Sequence, residues 1–351
     1  MYYQVIPIRQ VPMSYSVDKR LDTMLKDLTA EDPKDRMRLA SQLGRLKDTR
    51  GLTPLLQLIG DVSCKVRAEA ALALGFLQQS AAFDALVAAT EDEDHHVRIN
   101  AVIALGYLGD EKAIPSLLQA MRSSGWLNES VRNEAHWALV KIGLPSVIPL
   151  IHAMSDASAS ESVLIINALG HIGDQRSLPH ILNALGHSDA RIRQQAAQSL
   201  GLLKNTQAVQ PLVTTLKDND PGVRSMAAKS LGEIGAVSVV EALIPLVSDS
   251  AVGDTGDDNM TVNFAAISAL GKMSDNRAVT ALLPMLNDPD PDIQWITVVS
   301  LGKIGDVQAL PALLDLAKNI EPEKDEVSWG RDFVSEALNE AIARLTGKQQ
   351  H

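Results

Sequence analysis

From Pro221 to Ala236 the chain reads PGVRSMAAKSLGEIGA, and Val223, Ala227, Ala228, Leu231 and Ile234 recur at steps of three and four. That spacing gathers the apolar side chains on one stripe of an α-helix and leaves the polar ones on the other side. Asp220 is a predicted N-cap, Pro221 suits a first turn that needs no amide donor, and Gly235 is the natural terminator. Gly232 lies inside the helix beside Leu231, where a missing side chain lets a neighbouring helix come close. Shorter apolar stretches alternate with these segments, such as IPSLLQAM from Ile114 to Met121 and LPHILNAL from Leu178 to Leu185. Pro115, Pro179, Pro211 and Pro311 fall near the starts of the shorter helices, so the unit is predicted to be helix, turn, helix.

This unit repeats. Leu-Gly returns in the same frame at Leu43, Leu74, Leu105, Leu169, Leu200, Leu231, Leu270 and Leu301, most often at steps of 31 residues. Leu139 followed by Val140 is the copy without glycine, and Ile342 followed by Ala343 is a degenerate last copy. A fixed period of roughly 20 to 50 residues marks a stacked array, because one such unit cannot bury its apolar face alone. The expectation is an all-α fold, an α-α superhelix or solenoid of about ten helix pairs over residues 21–351. Residues 1–20 are expected to form an extended arm, since Pro7 and Pro12 oppose a helix; Tyr2, Tyr3 and Tyr15 lie there. Polar insertions at 248–260 and 319–330 lengthen the period and should lie outside the stack. A smaller one at 122–130 brings in Trp126.

An apolar residue followed by arginine stands before the repeat leucine in Val66-Arg67, Val97-Arg98, Val131-Arg132, Ile192-Arg193 and Val223-Arg224. With the Leu-Gly pair, this pattern resembles HEAT repeats, in the short form named after the phycobilisome lyase family. The resemblance implies a structural ladder in which Arg36, Arg67, Arg98, Arg132, Arg193 and Arg224 reach an aspartate of the inter-helix turn. Asp94, Asp189 and Asp220 occupy the matching place, and the ladder is expected to lapse at Ser162, Asn263, Gln294 and Ser335. The resemblance also implies one concrete activity, that of a bilin lyase-type subunit. Such a subunit handles an open-chain tetrapyrrole on phycobiliproteins, together with a partner chain.

Composition narrows the partners. At 46% hydrophobic and 3% aromatic residues, the core must be built from Ala, Leu, Ile and Val. The net charge of -11 opposes a nucleic-acid role, which depends on clustered Lys and Arg. Cys64 is the only cysteine, so no internal disulfide can form. No apolar run is long enough for membrane insertion, and the first residues lack a signal-peptide plan, so a cytoplasmic location is expected.

The sequence holds no G-x-S-x-G, P-loop, H-E-x-x-H or paired C-x-x-C, so no catalytic residue, cofactor or metal is assigned. His95 and His96 are adjacent and do not share a helix face, and Asp254, Asp257, Asp258 and Asn259 lack the alternate spacing of a calcium loop. The informative positions lie two residues before and two after each repeat leucine, away from the core stripe. There Leu72, Phe76, Ile103, Tyr107 and Trp137 form one predicted apolar and aromatic patch, with Lys141 and His171 beside it. Lys229, Lys272 and Lys303 fall in the same columns and make the groove locally basic. The expected function is a non-catalytic scaffold or adaptor that holds a partner protein segment, preferably an acidic one, on its concave face.

Overall fold

The computed structural model describes residues 21–319 and 329–348, apart from 22–23, 124, 126–127 and 254–259. The predicted arm, Trp126, the acidic run from Asp254 to Asn259 and most of the second insertion lie outside the described residues. The chain divides into two compact units, Met1–Leu150 and Ile151–His351.

Each unit is a stack of long helices, every one paired with a shorter helix. In the first unit the long helices are α1 (Pro33–Leu46), α2 (Cys64–Leu77), α3 (His95–Leu108) and α4 (Glu129–Ile142). In the second they are α5 (Ala159–Ile172), α6 (Ala190–Leu203), α7 (Pro221–Ile234), α8 (Val262–Met273), α9 (Pro291–Ile304) and α10 (Trp329–Lys348). Among the described residues the only extended pairing is one isolated bridge, Val252 with Thr261, at the base of the first insertion. That base is pinned to the stack, because a Cβ built on Gly253 would stand 2.5 Å from Gly222 Cα in the first turn of α7.

The helix ends follow from local chemistry. Asp220 accepts from the Val223 N–H at 3.1 Å, and Gly235 ends α7 in the left-handed region at φ 73°. At four other ends a residue with a side chain takes that conformation, Lys47, Gln78, Lys204 and Ser274, at φ 50–52°. Each short helix opens on a single 3-10 turn. Asp48, Asp110, Asp174, Asn205, Asp275 and Asp306 begin six of these turns by accepting from the N–H two residues on.

The stacking distance is set inside the long helices. A Cβ on Gly75 of α2 would lie 2.6 Å from Ala104 Cα of α3, closer than real atoms approach. The contact recurs between Gly232 of α7 and Ala269 of α8, at 2.8 Å. Where serine replaces alanine, as at Ser199 and Ser300, its buried hydroxyl donates to the Ile166 or Ile267 carbonyl of the preceding long helix at 2.9 and 3.0 Å. A buried polar group is thereby satisfied without widening the gap. Around these contacts pack Leu43, Leu74, Leu105, Leu200, Leu231 and Leu270, all essentially inaccessible.

The arginine ladder is present, but its partners differ from the expectation. Asp94, Asp189 and Asp220 are N-caps, and their carboxylates receive first-turn N–H groups of their own helices. Four of the six arginines, Arg36, Arg67, Arg193 and Arg224, instead reach an aspartate 25 positions further on; Arg98 donates to Asn128 Oδ1 at 2.8 Å, and neither it nor Arg132 has an aspartate at that place. Arg67 meets Asp92 through Nε and Nη2, both at 2.8 Å, and Arg193 meets Asp218 through the same atoms, both at 2.7 Å. Arg36 meets Asp61 through the same two atoms, at 2.6 and 2.8 Å, and Arg224 meets Asp249 through Nε at 2.9 Å. Each guanidinium also donates Nη1 to carbonyls just before its own helix, as Arg193 does to His187 and Ser188 at 2.9 and 3.0 Å. Each receiving aspartate in turn accepts the N–H two residues on, as Asp218 does from Asp220 at 2.9 Å. One rung thus ties together a helix start, the next inter-helix turn and that turn's backbone. At the predicted lapse in α9, Gln294 keeps only the carbonyl bond, to Asp288 at 2.8 Å.

Two tests follow from this packing. Gly75→Ala should destabilise the protein by about 2 kcal/mol, because overpacking against the α3 backbone outweighs the roughly 1 kcal/mol that alanine gains in an open helix. A urea midpoint that rises on this substitution would show that α2 and α3 are not in contact there.

The second test uses acid. The Arg36 hydrogen bond, assisted by the Ser63 N–H, holds the Asp61 carboxyl below its usual range against the effect of burial. Burial pushes Asp218 up, but Arg193 and the Asp220 N–H together leave it lowered as well. Carboxyls depressed on folding contribute stability that is full above their unfolded pKa of about 4 and is lost as pH falls through the folded value. Urea midpoints should therefore drop below about pH 4. Arg193→Met should cost between the roughly 1 kcal/mol of a surface pair and the roughly 3 of a buried pair broken from one side, at neutral pH. Its acid slope should be shallower than wild type; parallel slopes would exclude that rung as a source of the acid sensitivity.

Candidate functional site

The two residues that flank each repeat leucine at a distance of two fall on one face of each long helix, off the core stripe. Leu72 and Phe76 lie on α2, Ile103 and Tyr107 on α3, and Trp137 and Lys141 on α4. Leu72, Phe76, Ile103 and Tyr107 are half-buried, Lys141 is exposed, and Trp137 is 49% exposed. None belongs to the inaccessible core. His171, the remaining predicted member, is exposed on α5 of the second unit.

Across the first unit these side chains form a row. The rings of Phe76 and Tyr107 meet at 5.3 Å between centroids, tilted by 56°. Lys141 Nζ lies 3.4 Å from the centre of the Tyr107 ring, a cation–π contact that turns the ammonium toward the aromatic face. Burial lowers the Lys141 pKa, as expected for an ammonium drawn partly out of water onto a ring. Below Tyr107, Gln78 Nε2 donates to the Tyr107 carbonyl at 2.8 Å and ties the end of α2 to α3. Trp137 stands edge-on to His136, with ring centroids 4.7 Å apart. The result is a partly accessible apolar strip that ends in the Lys141 ammonium, laid over packed helices.

In the second unit the same columns are less basic than their lysines suggest. Lys272 of α8 forms an ion pair with Glu233 of α7, and that contact, opposed by burial and helped by Lys204 and Lys229, holds the Glu233 carboxyl below its usual range. Lys229 and Lys303 are exposed. The columns also miss an aromatic feature. Phe264 of α8 and Trp295 of α9 stack at 6.5 Å and 22°, and Phe333 of α10 is 56% exposed. Trp295 lines two cavities, one of about 410 Å³ with Phe264, Asp290 and Asp292, and one of about 320 Å³ with Phe333, Glu336 and Glu340. The available signal was that Phe264 and Trp295 both stand six residues before their repeat leucine, one helical turn above the columns that were read.

Among the described residues no cluster of His, Cys, Asp or Glu is placed to hold a metal ion. Among the same residues no helix is long and apolar enough to cross a membrane.

Comparison with known proteins agrees with this repeat geometry. The family of HEAT repeats matches residues 21–96, 52–139, 84–163, 149–214, 178–255 and 254–325. The chain belongs to the HEAT-repeat family. Its stacked helix pairs are therefore HEAT units, and its fold class is the all-α solenoid. Similar solved structures include Kap95p in its complex with RanGDP, at 13% identity and a TM-score of 0.68, covering 94% of this chain and 52% of that one. Importin beta is similar at 14% identity and a TM-score of 0.67, covering 97% and 56%. Kap121p bound to Nup53p is similar at 14% and 0.63, covering 95% and 43%. The HEAT chain spans about half the length of these proteins, and at such identities the likeness is one of fold. No protein of curated function matches it.

If the row is an outward strip, Lys141→Met should leave the urea midpoint nearly unchanged, since an exposed cation over an aromatic ring contributes only about 0.5–1 kcal/mol. A loss several times larger would place Lys141 in the packing of α3 against α4.

Proposed function

We propose that this HEAT-repeat chain is a non-catalytic protein-binding scaffold that holds a partner segment on its concave face. The observation that carries this reading is the Phe76–Tyr107–Lys141 row, a half-buried aromatic contact and an exposed cation laid across three successive long helices. Large rigid side chains of this kind act as anchors, because they offer much apolar area for little lost conformational freedom. Leu72, Ile103 and Trp137 widen the strip. Lys141 favours a segment with a carboxylate beside its apolar residue, since an acidic group can meet the ammonium without displacing it from the ring. His171 belongs to the second unit and extends the preference for acidic partners there. Kap121p, a protein of the same fold, has been solved bound to Nup53p and to the extreme C-terminus of Cdc14p, which supports segment binding as a use of this architecture. A cytoplasmic location fits the reading.

The test is the double variant Tyr107→Ala with Trp137→Ala, read in two ways. Captured partner should bind about 30-fold more weakly, on the order of 2 kcal/mol, while thermal unfolding shifts only slightly. Val62→Ser, at a position 93% exposed, provides the surface control. A steep loss of melting temperature with unchanged capture would reject the strip as a binding site. Visible absorbance that travels with the purified protein would instead favour the tetrapyrrole reading.

A further inference from the structure

In the second unit the ladder lapses at Ser162, Asn263 and Gln294, and the first of these is a paired change. Ser162 of α5 stands where a rung arginine belongs, and the place 25 positions on, aspartate in the Arg193 and Arg224 rungs that follow, is His187. The turn around His187 keeps its form. Its Nδ1 accepts the Asp189 N–H at 2.9 Å, the same bond that Asp218 makes with the Asp220 N–H and Asp249 with the Ala251 N–H. Its backbone carbonyl accepts from Arg193, so the rung that follows is complete.

The substitution inverts the polarity of the slot. An aspartate here presents two acceptor oxygens to a guanidinium, as Asp218 does to Arg193. A backbone N–H can only donate, so His187 Nδ1 is unprotonated and its ring proton sits on Nε2. The imidazole therefore offers a donor to the slot. A guanidinium, which carries only donors, no longer matches it. A group rich in acceptors does.

The slot is also large. Over Ser162 and His187 lies an open cavity of about 890 Å³, within the size range of small-molecule sites, with His152, His180 and His187 at its exposed rim. Its polar lining comes from His152, His180, His187, Ser162 and Asn183, which can donate, and from Ser155, whose hydroxyl already donates to the His152 carbonyl at 2.9 Å; no carboxylate, lysine or arginine is among its lining residues. Ile151, Met154, Ile166 and Ile192 supply an apolar wall.

We propose that this cavity is a binding site for a small organic oxyanion, a carboxylate or a phosphate monoester, held through the His187 Nε2–H with His180, His152 and Ser162. The apolar wall takes the carbon body of the ligand. The site lies wholly in the second unit and shares no residue with the Phe76–Tyr107–Lys141 strip, so either proposal can fail without the other.

The probes are inorganic phosphate and acetate, titrated separately into the full chain at constant ionic strength set with chloride, while the histidine side-chain signals are followed by NMR. Saturable movement of the His187 signals with phosphate, acetate or both, absent with chloride alone, is the expected result, and the stronger probe names the ligand class. His187→Asp, which restores an acceptor, should weaken that binding at least tenfold. Ser162→Arg with His187→Asp rebuilds the rung; it should also abolish binding and raise the melting temperature, which guards against loss of fold as the explanation. The proposal is overturned if neither anion gives a saturable shift, or if the rebuilt rung binds as wild type does.

Discussion

The separation between successive long helices governs the rest of this protein. Gly75 against Ala104 and Gly232 against Ala269 leave no room for another carbon, so the helices approach as closely as their backbones allow. Two features depend on that distance. Leucines can be fully enclosed with few aromatic residues, because the gap they fill is thin. One arginine can also reach from the start of its helix to the turn of the next repeat, as Arg67 does to Asp92 at 2.8 Å. Had the helices stood farther apart, the same side chain would end in water. Val140 takes the glycine's place in α4, the last long helix of the first unit, so this contact chemistry is absent from α4's sequence.

Features written within one helix were legible in the sequence. Asp220 as cap, Gly235 as terminator and Gly232 as the point of close approach are all observed, since each depends on residues a few positions away. The rung partners were not legible. Asp94 and Asp92 lie two residues apart in one turn, and which of them receives Arg67 depends on how the repeats are stacked. The 3-10 turns before the short helices also escaped, because the aspartates that open them resemble ordinary loop residues. The candidate strip divides the same way. Its members could be read from their columns, but the Phe76–Tyr107 contact and the placement of Lys141 over Tyr107 needed the helix spacing. Phe264 and Trp295 were missed because the apolar surplus was sought one turn away.

A repeat fold separates residues that maintain it from residues free to vary, and function is built on the second kind. The leucines, glycines and rung pairs serve the stack, and their regularity says little about a partner. Phe76, Tyr107 and Lys141 lie off the core stripe, half-buried or exposed, so their chemistry can differ from repeat to repeat at less cost than that of the enclosed leucines and glycines. A surface strip made this way costs the fold little and belongs to only a few repeats.

The change at Ser162 and His187 is of another kind, because it removes a device that does serve the stack. Losing the arginine alone would strand a partly buried carboxylate, and losing the aspartate alone would strand a guanidinium; either costs more than removing the whole pair. Replacing both members leaves no orphan charge. The Nδ1 bond to the Asp189 N–H preserves the turn, and the complete Arg193 rung beside it holds the local geometry. The fold therefore carries the gap beside an intact Arg193 rung, and the space over it is lined by histidine, serine and asparagine side chains instead of by an arginine–aspartate pair.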